Sequence, residues 1–277
     1  MLKTFTLLLF SLYSTGCGYL SHAYNYKFLN RPRYVSLNSV DDIDLDGETV
    51  KVVSYNIKHG KKTKKAIKLF LKEKNLKDAD IILLQEMTPE EVKRIAKALD
   101  YNYVFYPAIL HPVLKKDFGN AILSKWPILN DQKIILPALK TKTRQRIAVY
   151  ATVQIEDKKV AVLSLHMGIF VKPSDRKRLV EIMLDPIPPS TEYCIIGGDF
   201  NSFTKKDRKN IITSFTKSDF EYATEDIGWT YNQWYFLNRK STLDHIFTKG
   251  MEPVDAGKVV TKEASDHLPI WTELKFL

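Results

Sequence analysis

The stretch IIGGDFNS, residues 195–202, runs from an apolar segment through two glycines to a group of polar side chains. The apolar start belongs to a strand that we predict over residues 193–198. Asp199 and Asn201 then place a carboxylate and an amide where the backbone must bend. A glycine turn with an Asx cap is the structural explanation, and a polar site at the end of the strand is the functional one.

Polar side chains recur at the ends of other predicted strands. The strand predicted at 49–57 carries Asn56 near its end, and the strand predicted at 80–87 carries Glu86. Comparable positions later in the chain are held by His166, Asp199 with Asn201, Asp244, and Asp266 with His267. If these strand ends meet at one edge of a layered sheet, their carboxylates and amides share one cleft.

An oxygen-rich cleft of this kind suits a hard cation, Mg²⁺, Mn²⁺ or Ca²⁺, whereas zinc more often takes cysteine or grouped histidines. His166 and His267 add groups that can donate to phosphate oxygens or accept a proton from water near neutral pH. Each residue taken singly also has a structural explanation: a turn at Asn56, a charge at a helix N-terminus at Glu86, or a buried core histidine at His166.

The whole pattern of the chain indicates one large layered domain. The chain has 277 residues, of which 44% are hydrophobic and 27% charged, and it shows no repeat and no Gly/Ser-rich linker. One helix is predicted to begin at Thr88 as N-cap with Glu91 in a capping box, and another to occupy residues 174–187 from a serine cap. Further strands are predicted at 119–124, 146–155, 159–166, 243–248 and 268–275. Two sheets packed face to face with helices outside are the expected α/β architecture.

The first residues are expected to lie outside this domain. Residues 1–17 combine a basic Lys3, a short apolar run and small residues before Cys17, which is the layout of a secretory signal. The string STGC is similar to a lipobox, which would make Cys17 a lipidated N-terminus; plain secretion is the alternative. Residues 18–48 are polar and aperiodic, and we expect a tether that leads into a domain at 49–277.

The charge balance indicates a basic surface. The sequence carries 42 Lys and Arg against 32 Asp and Glu, a formal net charge of +10. Such a surface attracts nucleic acid, anionic lipid headgroups or phosphate esters. A lysine-rich proteome would give the same balance without a polyanionic partner.

Seven motifs occur in the order found in one known family: VVSYNI, ILLQEM, GNAILSKWPI, VLSLHMG, IIGGDFNS, TLDHIF and SDHLPI. In this set the chain resembles the endonuclease/exonuclease/phosphatase superfamily, which includes deoxyribonuclease I, apurinic endonucleases, neutral sphingomyelinases and inositol-polyphosphate phosphatases. The resemblance implies a four-layered α/β sandwich of two mixed β-sheets. It also implies metal-dependent hydrolysis of a phosphate ester.

The resemblance assigns metal binding to three residues. Glu86 is similar to the principal metal ligand of the family, with Asn56 and Asp266 completing or orienting the shell around Mg²⁺ or Mn²⁺. In the apurinic-endonuclease branch an acid stands two residues after the first asparagine, but this chain has Lys58 there, followed by His59. This difference puts a second acidic ligand in doubt.

The resemblance also assigns the catalytic positions. Asp199 and Asn201 are similar to the pair that holds the attacking water and the scissile phosphate. His267 is similar to the imidazole beside the phosphate, and Asp244 to the carboxylate that orients it. His166 is similar to a second histidine that faces the phosphate and could protonate the leaving oxygen. Family members are described with either the aspartate or the histidine as base, and both assignments stay open at this point.

Two further residues are expected to contact the substrate phosphate: Asn120 in GNAILSKWPI, and Arg146. A sheet-edge cation is the alternative for Arg146.

The aromatic segment TYNQWYFLNRKS, residues 230–241, could form a wall of the cleft, and core packing of Trp229, Trp234 and Tyr235 is the alternative.

The expected function is therefore phosphodiester hydrolysis by an exported monomer, either secreted or anchored to a bacterial membrane through lipid. Nucleic acid is the favoured substrate because the surface is basic and no long apolar loop for lipid insertion is visible. A phosphodiesterase or phosphatase acting on phospholipid or inositol phosphate is the alternative. A non-catalytic binding module is disfavoured, because every expected catalytic position carries a competent side chain.

Overall fold

A computed structural model describes residues 24–37, 48–137, 144–169, 171–233 and 239–277 of the chain. The predicted signal at 1–17 lies outside these residues. None of the helices in the described ranges is long and apolar enough to cross a membrane.

Strands dominate the described residues, and four α-helices accompany them. In chain order the strands are Tyr24–Asn25 (β1), Tyr34–Ser36 (β2), Thr49–Asn56 (β3), Ile81–Met87 (β4), Asn102–Leu110 (β5), Asp117–Ser124 (β6), Ile128–Leu136 (β7), Arg146–Ile155 (β8), Lys158–His166 (β9), Tyr193–Asp199 (β10), Glu221–Tyr222 (β11), Tyr231–Gln233 (β12), Arg239–Ser241 (β13), Asp244–Lys249 (β14), Met251–Lys258 (β15) and Ile270–Phe276 (β16). The helices are Thr63–Lys72 (α1), Pro89–Leu99 (α2), Pro173–Leu184 (α3) and Lys205–Thr216 (α4), with 3₁₀ turns at Lys58–Gly60 and Glu225–Ile227.

Two mixed sheets form the centre of the fold. The first has eight strands in the order β1-β5-β6-β4-β3-β16-β15, with β2 also paired to β5, and the second has six in the order β11-β14-β10-β9-β8-β7. In each sheet one central pair is parallel, β3 with β4 and β9 with β10. β12 and β13 form a separate hairpin. The two mixed sheets confirm the predicted α/β fold class.

Three apolar clusters hold the layers together. The first fills the space between the sheets and includes Val52, Leu83 and Ile195. The second joins the first sheet to α1 and α2 through residues such as Phe70, and the third joins the second sheet to α3 and α4 through residues such as Ile211. The order helix, sheet, sheet, helix is the four-layered sandwich, and each sheet buries both faces.

The two glycines of IIGGDFNS are explained by two different contacts. At Gly197 a Cβ atom would lie 2.7 Å from Leu83 Cδ1 of the first sheet, so the missing side chain lets the sheets approach. At Gly198 the backbone φ is +146°, and a Cβ atom would lie 2.0 Å from the carbonyl oxygen of Leu165 on β9. Glycine is therefore required for the strand pairing that leads directly to Asp199.

The structure corrects three local expectations. Residues 18–48 are not only a tether, because β1 and β2 pair with β5. α2 begins after Thr88 as predicted, but the Thr88 side chain makes no cap hydrogen bond, and Glu91 pairs with Arg94 at 3.3 Å instead of closing a capping box. α3 begins at Pro173 with Lys172 as N-cap, so no serine caps this helix.

We expect Gly198→Ala to lower the free energy of unfolding by at least about 2 kcal/mol, because its methyl group meets rigid backbone. Gly197→Ala is the matched control: its methyl group meets the movable end of the Leu83 side chain, so about half that loss is expected. Urea unfolding followed by circular dichroism measures both. Equal losses for the two variants would contradict this explanation of Gly198.

Candidate active site

Strand pairing in the second sheet brings three predicted residues together. Asp199, the last residue of β10, lies opposite His166 on the parallel neighbour β9 and opposite Asp244 on the antiparallel neighbour β14. The carboxyl ends of β9 and β10 and the start of β14 therefore share one edge of the sheet. All three side chains are buried.

The first sheet brings its own residues to the same place. Asn56 ends β3, and Glu86 follows on the parallel neighbour β4 at a bulge where Glu86 has a φ of +60°. Because β16 is antiparallel to β3, the residues just before β16, Asp266 and His267, also lie at this edge. The two sheets meet here through a hydrogen bond, since Asn56 Nδ2 donates to Asp199 Oδ2 at 3.1 Å.

Asp199 lies at the centre of the resulting cluster. Its Oδ1 accepts the backbone N–H of Asn201 at 2.9 Å, and its Oδ2 accepts from the Asn201 side chain at 3.3 Å. His166 Nε2 lies 3.3 Å and His267 Nε2 3.8 Å from the same Oδ2. Four of the predicted residues thus converge on one carboxylate, Asn56 included.

The environment of Asp199 changes its acidity. Burial raises the pKa of Asp199 to about 7; the positive charge of His267 and the N–H of Asn201 oppose the rise, and the negative charges of Asp244 and Glu86 add to it. A carboxyl with such a pKa can both lose and accept a proton near neutral pH.

His267 is held by a second carboxylate. Its Nδ1 lies 2.9 Å from Asp244 Oδ2, and Thr230 donates its hydroxyl to that same oxygen at 2.6 Å. Burial lowers the pKa of His267, but the charges of Asp244 and Asp199 outweigh burial and raise it to about 10. The ring is therefore protonated at neutral pH, and Nε2 presents an N–H toward Asp199.

His166 has the opposite character. Burial lowers its pKa well below the ordinary value, and the positive charges of Arg146 and His267 lower it further. Arg146 Nη1 lies 3.1 Å from His166 Nδ1, and because a guanidinium can only donate, Nδ1 is the acceptor. The single ring proton of the neutral imidazole is then on Nε2, which faces Asp199.

The two expected phosphate contacts, Asn120 and Arg146, lie beside this cluster. Together with His166, Phe118 and Gln145 they line one pocket. Asn120 uses part of its amide in a 2.9 Å hydrogen bond to the carbonyl of Ile147. The pocket therefore places the Arg146 guanidinium next to His166.

The candidate metal ligands carry hard oxygen donors. The Glu86 carboxylate is 21% exposed, with His59 Nε2 3.3 Å from one oxygen and His166 Nε2 4.0 Å from the other. Asn56 Oδ1 accepts one backbone N–H, from Lys58, and a carbonyl oxygen can accept a second partner. Carboxylate and amide oxygens on a partly open edge fit a hard cation.

Asp266 already holds a cation from the chain itself. The Lys58 ammonium lies 2.6 Å from Asp266 Oδ2. Burial would raise the pKa of Asp266, but the charges of His267 and Lys58 keep it below its usual value. A metal ion bound with Asp266 would therefore compete with Lys58 for this carboxylate.

A second candidate set of ligands lies deeper. Single ligand atoms of Asp199, Asp244 and His267 lie within 4.8 Å of one another. The known hydrogen bonds already use His267 Nδ1 and an oxygen of each carboxylate. These hydrogen bonds favour a proton-holding network over a metal site at this position.

The structure adds residues that the sequence pattern did not indicate. Thr230 binds Asp244, and Arg176 on α3 donates to the backbone carbonyls of Phe200 and Asn201 while pairing with the buried Asp207. A threonine 14 positions from its partner and an arginine inside an ordinary helix carry no sequence signal for such contacts.

The aromatic segment at 230–241 is partly described. The Tyr231 ring packs against the His267 ring, with centroids 4.8 Å apart, so this part does form a wall of the cleft. Trp229 is half-buried between the ammonium groups of Lys240 and Lys258, which corrects the expectation of core packing for this residue. Trp234 and Tyr235 lie outside the described residues.

A comparison with protein families shows to which family the chain belongs. The sequence profile of the Endonuclease/Exonuclease/phosphatase family matches residues 53–267. The chain belongs to this family. Endonuclease/exonuclease/phosphatase proteins hydrolyse phosphoester bonds and are generally dependent on a divalent metal. No curated protein matches the sequence.

Solved structures of the endonuclease/exonuclease/phosphatase family share the fold. A family protein from Leptotrichia buccalis aligns with a TM-score of 0.65 at 18% identity, over 82% of this chain and 100% of that chain. A mannosyl-6-phosphatase from Bacteroides thetaiotaomicron aligns with 0.63 at 20%, over 82% and 100%. D. rerio TDP2 complexed with single strand DNA product aligns with 0.67 at 17%, over 83% and 100%. These identities show a shared fold.

We expect Lys58→Met to strengthen Mg²⁺ binding by about three- to tenfold, because it removes the ammonium that neutralises Asp266. Isothermal titration calorimetry measures the affinity without requiring turnover. Lys61→Met, at an exposed neighbouring lysine, is the charge-matched control. Unchanged or weaker binding in Lys58→Met would show that Lys58 does not compete for Asp266.

Proposed function

We propose that the chain is a metal-dependent phosphodiesterase that acts on nucleic acid. The observation that carries this proposal is the convergence of Asn56, His166, Asn201 and His267 on the single carboxylate of Asp199. A polar cluster with a purely structural role needs only hydrogen-bond partners for its buried groups. This one also combines a carboxyl whose pKa is raised to about 7 with a protonated imidazole, beside a pocket that Arg146 and His166 line.

In the proposed reaction Asp199 is the base that takes the proton of the attacking water. Its support is the raised pKa, which matches the operating pH of a general base. His267, held in its charged form by Asp244, would donate from Nε2 to a phosphate oxygen and stabilise the charge that develops there. Asn201 would fix the orientation of the Asp199 carboxylate.

The neutral His166 and the charged Arg146 would bind the phosphate from the pocket side. The Nε2–H of His166 faces Asp199 in the structure, so a hydrogen bond from it to the phosphate requires the substrate to enter between the two groups. Loss of this single proton would leave an imidazolate, so the proton for the leaving oxygen would come from the charged His267. A divalent metal held by Glu86, Asn56 and Asp266 would supply Lewis-acid stabilisation of the phosphate charge.

Nucleic acid is the favoured substrate for two reasons. The formal net charge of +10 favours binding to a chain of phosphates, and one protein of the same fold, D. rerio TDP2, has been solved with a single strand DNA product. The alternative is a phosphatase or phosphodiesterase for phospholipid or inositol phosphate. The mannosyl-6-phosphatase of the same fold adds a phosphate monoester of a sugar to the substrates worth testing.

We expect Asp199→Asn and His267→Ala each to lower kcat by about a hundredfold or more. Asp226→Asn, at an exposed carboxylate of a 3₁₀ turn, is the control that should retain activity. The assay uses DNA, RNA, sphingomyelin, phosphoinositides and mannose 6-phosphate with Mg²⁺, and thermal unfolding reports whether each variant is folded.

The substrate panel separates the candidate functions. Chelator-sensitive hydrolysis of DNA or RNA supports the proposal. Turnover confined to the lipids, the inositol phosphates or the sugar phosphate would replace it with the alternative. Full activity of Asp199→Asn on the preferred substrate would remove Asp199 from the reaction.

We also propose that the protein is exported, with Cys17 as its lipid anchor. The support is the sequence of residues 1–17 alone. Cys17→Ser is expected to move the protein from the membrane fraction to the soluble fraction, as followed by immunoblotting. An unchanged distribution would favour plain secretion or another membrane contact.

A further inference from the structure

A buried histidine outside the catalytic cluster has a fixed tautomer. His111 follows β5 and is 3% exposed. Its Nδ1 lies 3.3 Å from the backbone N–H of Val113 and 3.1 Å from that of Leu114. Because backbone N–H groups can only donate, Nδ1 must be the acceptor and carries no proton. In the neutral imidazole the proton is therefore on Nε2.

That Nε2–H group faces another donor. The nearest partner of His111 Nε2 is Arg144 Nη1, at 3.4 Å, and a guanidinium has no acceptor. Two N–H donors so placed cannot satisfy one another. Among the described residues the structure pairs Arg144 with no carboxylate. An oxygen bound between or beside the two groups would satisfy both donors at once.

The surroundings favour an anionic oxygen. Burial, together with the positive charges of Arg144 and Arg146, lowers the pKa of His111 to about 4. The same charges that disfavour protonation of the ring attract an anion. Arg144 is half-buried.

This pair of donors lies next to the proposed active site. The His111 ring is 5.2 Å from the His59 ring and 4.9 Å from Phe118, a residue that lines the pocket of Arg146 and His166. His59 in turn reaches Glu86 through its Nε2, at 3.3 Å. One aromatic ring therefore separates the donor pair from the candidate metal ligand.

We propose that Arg144 and His111 form a second phosphate subsite, which binds the phosphate next to the scissile one in a nucleic-acid strand. The proposal rests on the phosphodiesterase function proposed above and adds a preference for substrates with more than one phosphate. Arg144 supplies the charge of this subsite, and His111 Nε2–H supplies a donor whose direction is fixed by the two backbone contacts of Nδ1.

The kinetic test compares two substrates that differ by one phosphate, the thymidine dinucleotide TpT and the trinucleotide TpTpT. In Arg144→Gln the ratio of kcat/KM for TpTpT to that for TpT is expected to fall about tenfold, the effect of one charge-assisted hydrogen bond. Arg144→Lys keeps the charge and should lose less. Arg178→Gln, an exposed arginine on α3, should keep the wild-type ratio.

A binding test works without turnover. Inorganic phosphate is titrated into the ¹⁵N-labelled protein, and the ring nitrogen signals of the histidines are followed by NMR. Phosphate should shift the His111 signals in the wild type and in Arg178→Gln, and shift them much less in Arg144→Gln.

The two tests distinguish the possible failures. If the wild type hydrolyses neither nucleotide, the phosphate titration alone decides the subsite, and the proposed function is judged separately on the DNA and RNA of the substrate panel. Three results would each overturn the subsite. The first is an unchanged kinetic ratio in Arg144→Gln, and the second is an equal fall of that ratio in Arg178→Gln. The third is that phosphate does not shift the His111 signals of the wild type.

Discussion

The buried carboxylate of Asp199 is the constraint on which the site depends. A carboxylate without water is costly unless donors surround it, and here the donors come from both sheets: Asn56 from the first, and His166 and Asn201 from the second. The hydrogen bonds that satisfy this one group therefore hold the two sheets together at this edge. The glycine pair before Asp199 has the same effect from the core side, because Gly197 permits the close approach of Leu83.

The parts of this arrangement that follow from local sequence were predictable. β8 was predicted over its full length, because its apolar run is continuous and buried on both faces. β15 was not, since most of its side chains are exposed at a sheet edge and Pro253 and Gly257 interrupt its pattern. β5 was also missed, although it is almost wholly buried. We have no physical account of that failure beyond the ambiguity of short apolar runs.

The residues of the candidate site also divide into those that local sequence predicts and those that it does not. Residue types at strand ends indicated Asp199 and its neighbours, since strand register alone brings His166 and Asp244 to it. Contacts between distant segments were not predictable, because nothing local encodes them. Lys58 pairs with Asp266 across 208 positions. The sequence showed only that an acid was absent at position 58, and the structure shows that the Lys58 ammonium also pairs with Asp266, a candidate metal ligand.

Strands and loops contribute different properties to the site. Asn56, His166 and Asp199 end paired strands, so hydrogen-bonded ladders hold them and their geometry is coupled to the core. Lys58 and His111 instead lie in connections, where the backbone has fewer such restraints. Substitutions in the connections can then change the charges beside the cluster without moving Asp199. Solved proteins of the same architecture include a mannosyl-6-phosphatase and a protein complexed with a single strand DNA product, so the fold alone does not determine the substrate.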